Sequence, residues 1–246
     1  MPIFTMMIGL VEHQPSLPNN DCYTINEIKA MREALLNGKD IYCIGENLTH
    51  KQRRGVLDGL RSLNVTFIAD LYIGEVVNID MIKRFAPPYY NEGFTVVNLT
   101  VLNPSIFEDT FETLQLMDQE HPNHSLTIGV HCREVANLLA EQTQDEAIIT
   151  AGLMHDIGKM DTKKYKESGV ATYHDHHSVG AYRALSFLAS TDLNKDDQLR
   201  ASVLIAWHMI PKMVTEAKGL KKIKKFLGDT LWEDLMLLHR ADIKAR

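Results

Sequence analysis

The sequence predicts an α+β chain: a smaller α/β N-terminal part, residues 1–105, followed by an all-helical C-terminal part, residues 106–246. Three observations carry this division. Short β-rich runs alternate with a helical pattern through the first hundred or so residues, no convincing strand run follows Leu102, and from about Ile106 apolar residues recur three and four apart. At 246 residues, 45% apolar and 24% charged, the chain is long enough for one large domain or two small ones. Its 14 Gly and 8 Pro are too few for a disordered or fibrous protein.

The first element is MPIFTMMIGL, apolar for about ten residues without a basic n-region or a small-residue cleavage site. It falls short of the roughly 20 residues of a membrane span and is expected to be a strand. IYCIG (41–45) and VTFIAD (65–70) read as two further strands. Between them Thr49 is placed to cap a helix carrying Val56, Leu57, Leu60 and Leu63, which makes a βαβ pattern. The stretch 95–104 adds a last β-rich run, punctuated by Pro87, Pro88 and Pro104. Such runs are too few to bury a sheet well alone. The N-terminal part is therefore expected to pack on the helical part or on a second subunit, with Lys51, Arg53 and Arg54 helping to wall a pocket.

In the helical part, FEDTFETLQLM, VHCREVANLLAEQ and DEAIITAGLMHDIG each present an apolar face. A polar turn at 194–197 precedes DQLRASVLIAWHMI, which Pro211 is expected to end, and the last helix runs from about Asp229 to the terminus.

The net charge of -6 argues against a wholesale nucleic-acid binder, and no stable nucleic-acid complex is expected. The strongest local positive charge is KGLKKIKK (218–225), with Lys212 before it. Such a run is ordinarily a solvated helix face, but bordering a pocket it would attract an anionic substrate. Cys22, Cys43 and Cys132 are scattered, without disulfide or zinc spacing, which indicates a reducing, cytoplasmic compartment. No membrane partner is expected, and a homo-oligomer is compatible with the sequence.

Nine of the 11 histidines lie in the helical part, His121, His124, His131, His155, His174, His176, His177, His208 and His239, so the chemistry is expected there. His155 and Asp156 are adjacent on one helix, and His155 shares a face with Ile148 and Gly152. A carboxylate on a core-facing helix costs several kcal/mol unless it is paired or bound to a metal. His131 shares a face with Val135 and Leu138. Asp242 follows Leu235 and Leu238 near a helix C-terminus, where the macrodipole disfavours an anion and a cation would hold it. Two imidazoles and two carboxylates make a mixed N/O shell suited to Mn, Fe, Co, Ni or Zn and compatible with Mg.

His131, then His155-Asp156 and the distant Asp242 resemble the H...HD...D signature of HD-domain metal-dependent phosphohydrolases. The strings GLMHDIGK, YHDHHSVGA, AWH and HRADIKAR are most similar to the HD domain of bacterial tRNA nucleotidyltransferases, over residues 123–246. The resemblance implies an all-helical fold and hydrolysis of phosphate esters, often on nucleotides. It makes His131, His155, Asp156 and Asp242 the ligands of a divalent ion and gives Lys159 a phosphate-binding role. His176 and His208 match positions that hold a second metal, contact phosphate or protonate the leaving group. One ion is favoured, with a second possible through that pair. Asp156, Lys159, His176 and His208 are then the catalytic set, and Lys159, His177 and Arg133 contact substrate. His174 belongs to the rim, whereas His124, Arg183 and Arg240 read as solvated charge.

The expected partner is a small phosphorylated nucleotide. The implied activity is a phosphomonoesterase acting on nucleoside or deoxynucleoside 5′-monophosphates. A phage-type deoxynucleoside monophosphatase, working in the host cytoplasm, would look like this. The alternatives are a phosphodiesterase acting on 2′,3′-cyclic nucleotides or cyclic phosphate ends, and a non-catalytic metal- or nucleotide-binding protein.

Overall fold

The computed structural model describes residues 1–17, 21–75, 78–122 and 125–245, apart from the side chain of Val11. The chain divides into two compact units, Met1–Val76 with Ala86–Asn103, and Val77–Phe85 with Pro104–Arg246.

The first unit holds β1 (Ile3–Ile8), β2 (Cys22–Tyr23), α1 (Ile28–Leu36), β3 (Ile41–Cys43), α2 (His50–Leu60), β4 (Thr66–Ile73) and β5 (Val96–Val101). Its sheet is entirely parallel in the order β2-β3-β1-β4-β5. β1 is the central strand and is buried from Phe4 to Ile8. Burial on both faces explains why its sequence is a continuous apolar run, whereas the edge strand β5 alternates exposed and buried residues. The sheet has five strands where the sequence suggested fewer, because the two residues of β2 cannot display a period. Thr49 caps α2 as expected, in a reciprocal capping box with Gln52, and Leu63 lies beyond the helix end.

Arg53 corrects the expectation of a basic pocket wall. It is completely buried, and its guanidinium forms a two-pronged pair with Glu92 at 2.6 and 2.9 Å while donating to the carbonyls of Asn47 and Leu48. The arginine ties the start of α2 to the segment before β5.

The second unit holds α3 (Ile79–Ile82), α4 (Phe107–Leu116), α5 (Ile128–Ala140), α6 (Glu146–Met154), α7 (Lys159–Thr162), β6 (Lys164–Tyr165), β7 (Ala171–Thr172), α8 (His176–Leu188), α9 (Lys195–Trp207), α10 (Ile210–Met213), α11 (Ala217–Leu227) and α12 (Asp229–Lys244). The core is built by α5, α6, α8, α9 and α12 packing on one another. Phe85 stacks edge-on against the buried Tyr182 of α8, which explains why Val77–Phe85 groups with the helices.

Two local expectations are corrected here. A small antiparallel hairpin, β6-β7, follows Leu102, turning through Gly169 at a φ of +79°. Pro211 does not simply end a helix: it sits in the first turn of α10, where its missing N–H costs nothing. No helix among the described residues is long and apolar enough to cross a membrane.

Candidate metal centre

Helix ends position most of the site. His131 lies within α5, but His155 is the C-cap of α6, and Asp156 follows in the turn before α7, so the pair is not within one helix as the sequence suggested. His176 is the first residue of α8, His208 the C-cap of α9, and Asp242 lies in the last turns of α12. All six are buried.

The imidazoles are fixed by carbonyls that can only accept. His155 Nδ1 donates to Gly152 O at 2.8 Å, His208 Nδ1 to Ile205 O at 2.7 Å and His176 Nδ1 to Tyr173 O at 2.6 Å, each three residues back. His131 Nδ1 lies 3.3 Å from Ala245 O. With the proton held on Nδ1, the Nε2 of a neutral ring carries a lone pair, which is the form that binds metals.

Those Nε2 atoms converge on carboxylates. His131 Nε2 is 3.1 Å from Asp242 Oδ1 and 3.8 Å from Asp156 Oδ2, and His155 Nε2 is 3.4 Å from Asp156 Oδ2 and 3.9 Å from Asp242 Oδ1. The other oxygen of Asp156 faces His176 Nε2 at 3.3 Å and His208 Nε2 at 3.7 Å. Lone pairs set against anionic oxygens repel unless a proton or a cation lies between them. His155 Nε2 is buried without a hydrogen-bond partner, so the donor set fits a cation. Two triads could hold a metal, His131 with His155 and Asp156, and Asp156 with His176 and His208, each with ligand atoms within 4.8 Å of one another. Asp156 is common to both.

The protonation tendencies agree. Burial pushes Asp156 up, but Lys159 and then His155 bring it well below the ordinary carboxylate range. Burial would lower His155, yet Asp156 raises it well above an ordinary imidazole. Burial, with His155 and His176, holds His208 well below its usual value. Asp242 is also held down, against its burial, by its hydrogen bond to His131. Two anions thus stabilise positive charge at the centre of the cluster.

Lys159 is the first residue of α7. Its buried ammonium donates to Asp156 Oδ2 at 2.5 Å and to Gln119 Oε1 at 2.8 Å, and lies 5.5 Å from the ring centre of Tyr173. Gln119 is wholly buried. Its amide donates to Leu126 O at 3.1 Å, and its own carbonyl accepts from Tyr173 Oη at 2.6 Å. Neither Gln119 nor Tyr173 figures in the sequence-based set. Tyr173 begins the string YHDHHSVGA, whereas an isolated glutamine before α5 carries no sequence signal at all.

A pocket of about 240 Å³ opens on this cluster, lined by Asp156, Lys159, His176, His208 and Asp242. His174 and Lys212 also line it, placing the expected rim histidine and the lysine that precedes the basic run at the site. Of the three expected substrate contacts, Lys159 lines the pocket, whereas Arg133 and His177 are not among these lining residues. Arg133 is exposed, 4.9 Å over the ring of Phe111, and His177 packs beside His176 with its affinity for a proton lowered by burial and by that neighbour. Arg183 pairs with Asp161, and His124 lies outside the described residues.

Residues 124–243 match the family model described as HD domain. Among curated proteins, the chain is similar to an A-adding tRNA nucleotidyltransferase of Deinococcus radiodurans, with 27% identity over 151 residues, 55% of this chain and 34% of that protein. The chain thus spans about a third of the length of this relative.

Proposed function

Because residues 124–243 of this chain are an HD domain, the module of metal-dependent hydrolases, we propose that the protein is a metal-dependent phosphohydrolase whose preferred substrates are nucleoside or deoxynucleoside 5′-monophosphates. One observation carries the reading: the buried ammonium of Lys159 shares Asp156 with a cluster that demands a cation, at the wall of a small pocket. A cation site beside a fixed lysine suits a phosphoryl group, whose oxygens can be neutralised from two sides.

His131, His155, Asp156 and Asp242 would hold the ion. A divalent cation there supplies a bound water acidified toward a pKa of about 7 and polarises a phosphoryl oxygen. Lys159 has three ammonium protons; Asp156 and Gln119 engage two, leaving one to bind a phosphoryl oxygen. His176 and His208 are anchored through Nδ1, so their rings cannot turn and their Nε2 atoms stay aimed at Asp156. In this role they contact phosphate and hold the proton that passes to the leaving oxygen. Their Nε2 atoms are 3.2 Å apart, so the pair can share one proton or, with Asp156, hold a second ion.

The pocket is smaller than the roughly 300–1,000 Å³ of drug-sized sites. It therefore suits a terminal phosphate and its sugar with the base toward the mouth, which supports a monoester. A second reading, hydrolysis of a 2′,3′-cyclic phosphodiester, draws on the RNA-directed name of the Deinococcus relative.

The test is phosphate release from an aryl phosphate monoester against the bis-aryl diester with Mn, Co, Ni, Zn or Mg supplied, followed by a panel of nucleotides. The expected result is a monoester preference extending to 5′-monophosphates. Diester preference would favour the second reading, and metal binding without turnover of either would end the hydrolase reading.

A further inference from the structure

The basic run resolves into α11, and its two faces differ. Leu220, Ile223, Phe226 and Leu227 are partly or fully covered, whereas Lys218, Lys221, Lys222 and Lys225 are exposed. Lys224 pairs with Asp229, but those four lysines and Lys212 have no ion-pair partner among the described residues. A helix with covered apolar residues and solvated lysines has used its apolar stripe for packing.

Its position is fixed relative to the pocket. Lys212, which lines the pocket, precedes α11 by one short turn. At the start of the helix a Cβ on Gly219 would lie 2.7 Å from Val214 Cγ1, so α11 is seated closely on the end of α10. At the other end Phe226 packs on Trp207, with ring centres 5.6 Å apart, and Trp207 adjoins the site residue His208. Lys212 therefore stands at the pocket wall, and the helix that carries the other lysines is anchored on Val214 and on Trp207, the neighbour of His208. Lys218 to Lys225 covers about 10 Å of helix at ~1.5 Å per residue.

We propose that Lys212 and the exposed lysines of α11 form a track for the phosphate backbone of a short single-stranded oligonucleotide whose terminal phosphate enters the pocket. A mononucleotide would fill the pocket alone; the track engages the phosphates that follow. The chain's overall charge of -6 keeps this docking transient and sensitive to salt. Delivery of the terminal phosphate rests on the phosphohydrolase reading above, whereas the docking does not.

The experiment uses the metal-loaded full chain and a 5′-phosphorylated twelve-residue oligothymidylate labelled at its 3′ end, with binding followed by fluorescence anisotropy. About three lysine-phosphate contacts give a slope of log affinity on log salt near -2, since each contributes about -0.7 on a single strand, or roughly a 20-fold loss between 50 and 200 mM salt. The triple variant Lys221→Glu, Lys222→Glu, Lys225→Glu should lose at least tenfold in affinity and most of the salt slope. Its KM for the oligonucleotide monoester should rise at least tenfold, while turnover of an aryl phosphate and of thymidine 5′-monophosphate stays within twofold. Circular dichroism checks the fold, and the Lys→Gln triple replaces any misfolded variant.

The proposal is overturned if the oligonucleotide does not bind at 50 mM salt, or if the triple variant leaves affinity and slope unchanged. It is also overturned if vesicles containing a quarter phosphatidylserine bind in the same lysine-dependent way and the oligonucleotide does not. Lysine-dependent oligonucleotide binding without hydrolysis of any monoester or diester would sink the hydrolase reading and leave the docking in place.

Discussion

Asp156 divides its two oxygens between two groups of imidazoles, and among the described residues it alone belongs to both triads. Asp156→Ala should therefore empty the site of metal, reduce turnover at least ~10³-fold, and leave buried imidazoles without their counter-charge. Metal content by mass spectrometry after desalting, read beside phosphate release, checks this. Lys159→Met should behave differently, keeping metal within twofold while kcat falls roughly 10²- to 10³-fold, because the lost partner is the phosphoryl group. Gln119→Leu should reproduce a milder version, since it removes only the group that holds Lys159 in place. The histidines and aspartates that the structure brings together stand in the sequence in an order that forms a pattern. Gln119 could not be read from the sequence, since its importance arises from distant packing, and Arg53 reads as a pocket-wall residue only because its partner Glu92 lies 39 residues away.

At the scale of elements, the junction of α7 and α8 is the tightest feature near the site. A Cβ on Gly158 would lie 2.1 Å from His176 O and 2.6 Å from the amide nitrogen of Gly180, backbone atoms that cannot rotate away. Gly158→Ala should cost about 1–3 kcal/mol or more and displace His176 from Asp156. A lowered melting temperature together with weakened metal binding is expected; a stable variant with unchanged metal affinity would contradict it. The same scale explains what the sequence revealed about the fold. Long elements such as β4 and α12 repeat their periodicity often enough to be seen, whereas β2, β6 and β7 have two residues each and no period to read. Pro211 carries a real signal whose direction is ambiguous, since proline both follows helices and begins them.

At the scale of the whole molecule, the two units have different weak points. In the sheet unit, burial raises the Glu92 carboxyl, but Arg53 and His50 outweigh it and hold the group below its ordinary value of 4.5. A carboxyl depressed on folding contributes stability above its unfolded pKa and loses it as pH falls through the folded one. Thermal melts of this unit should thus weaken below about pH 4.5, and Glu92→Gln should lower stability at pH 7 by about 3–5 kcal/mol while flattening that acid dependence. In the helical unit, a fragment starting at residue 106 would lack Ile82 and Phe85, exposing the buried face of Tyr182. It should melt below the full chain's helical transition, and restoring residues 78–85 through a linker should recover most of the difference.

The interleaving of Val77–Phe85 with the helices also has a consequence for biosynthesis. This segment leaves the ribosome before the last strand of the sheet, yet its partner Tyr182 emerges roughly a hundred residues later, which is about 5–20 s at ~5–20 residues per second. Phe85 must wait uncovered for that interval while β5, downstream of it, completes the sheet. Nascent chains stalled before α8 should therefore bind hydrophobic-segment chaperones through the region around Phe85, and chains stalled beyond it should release them.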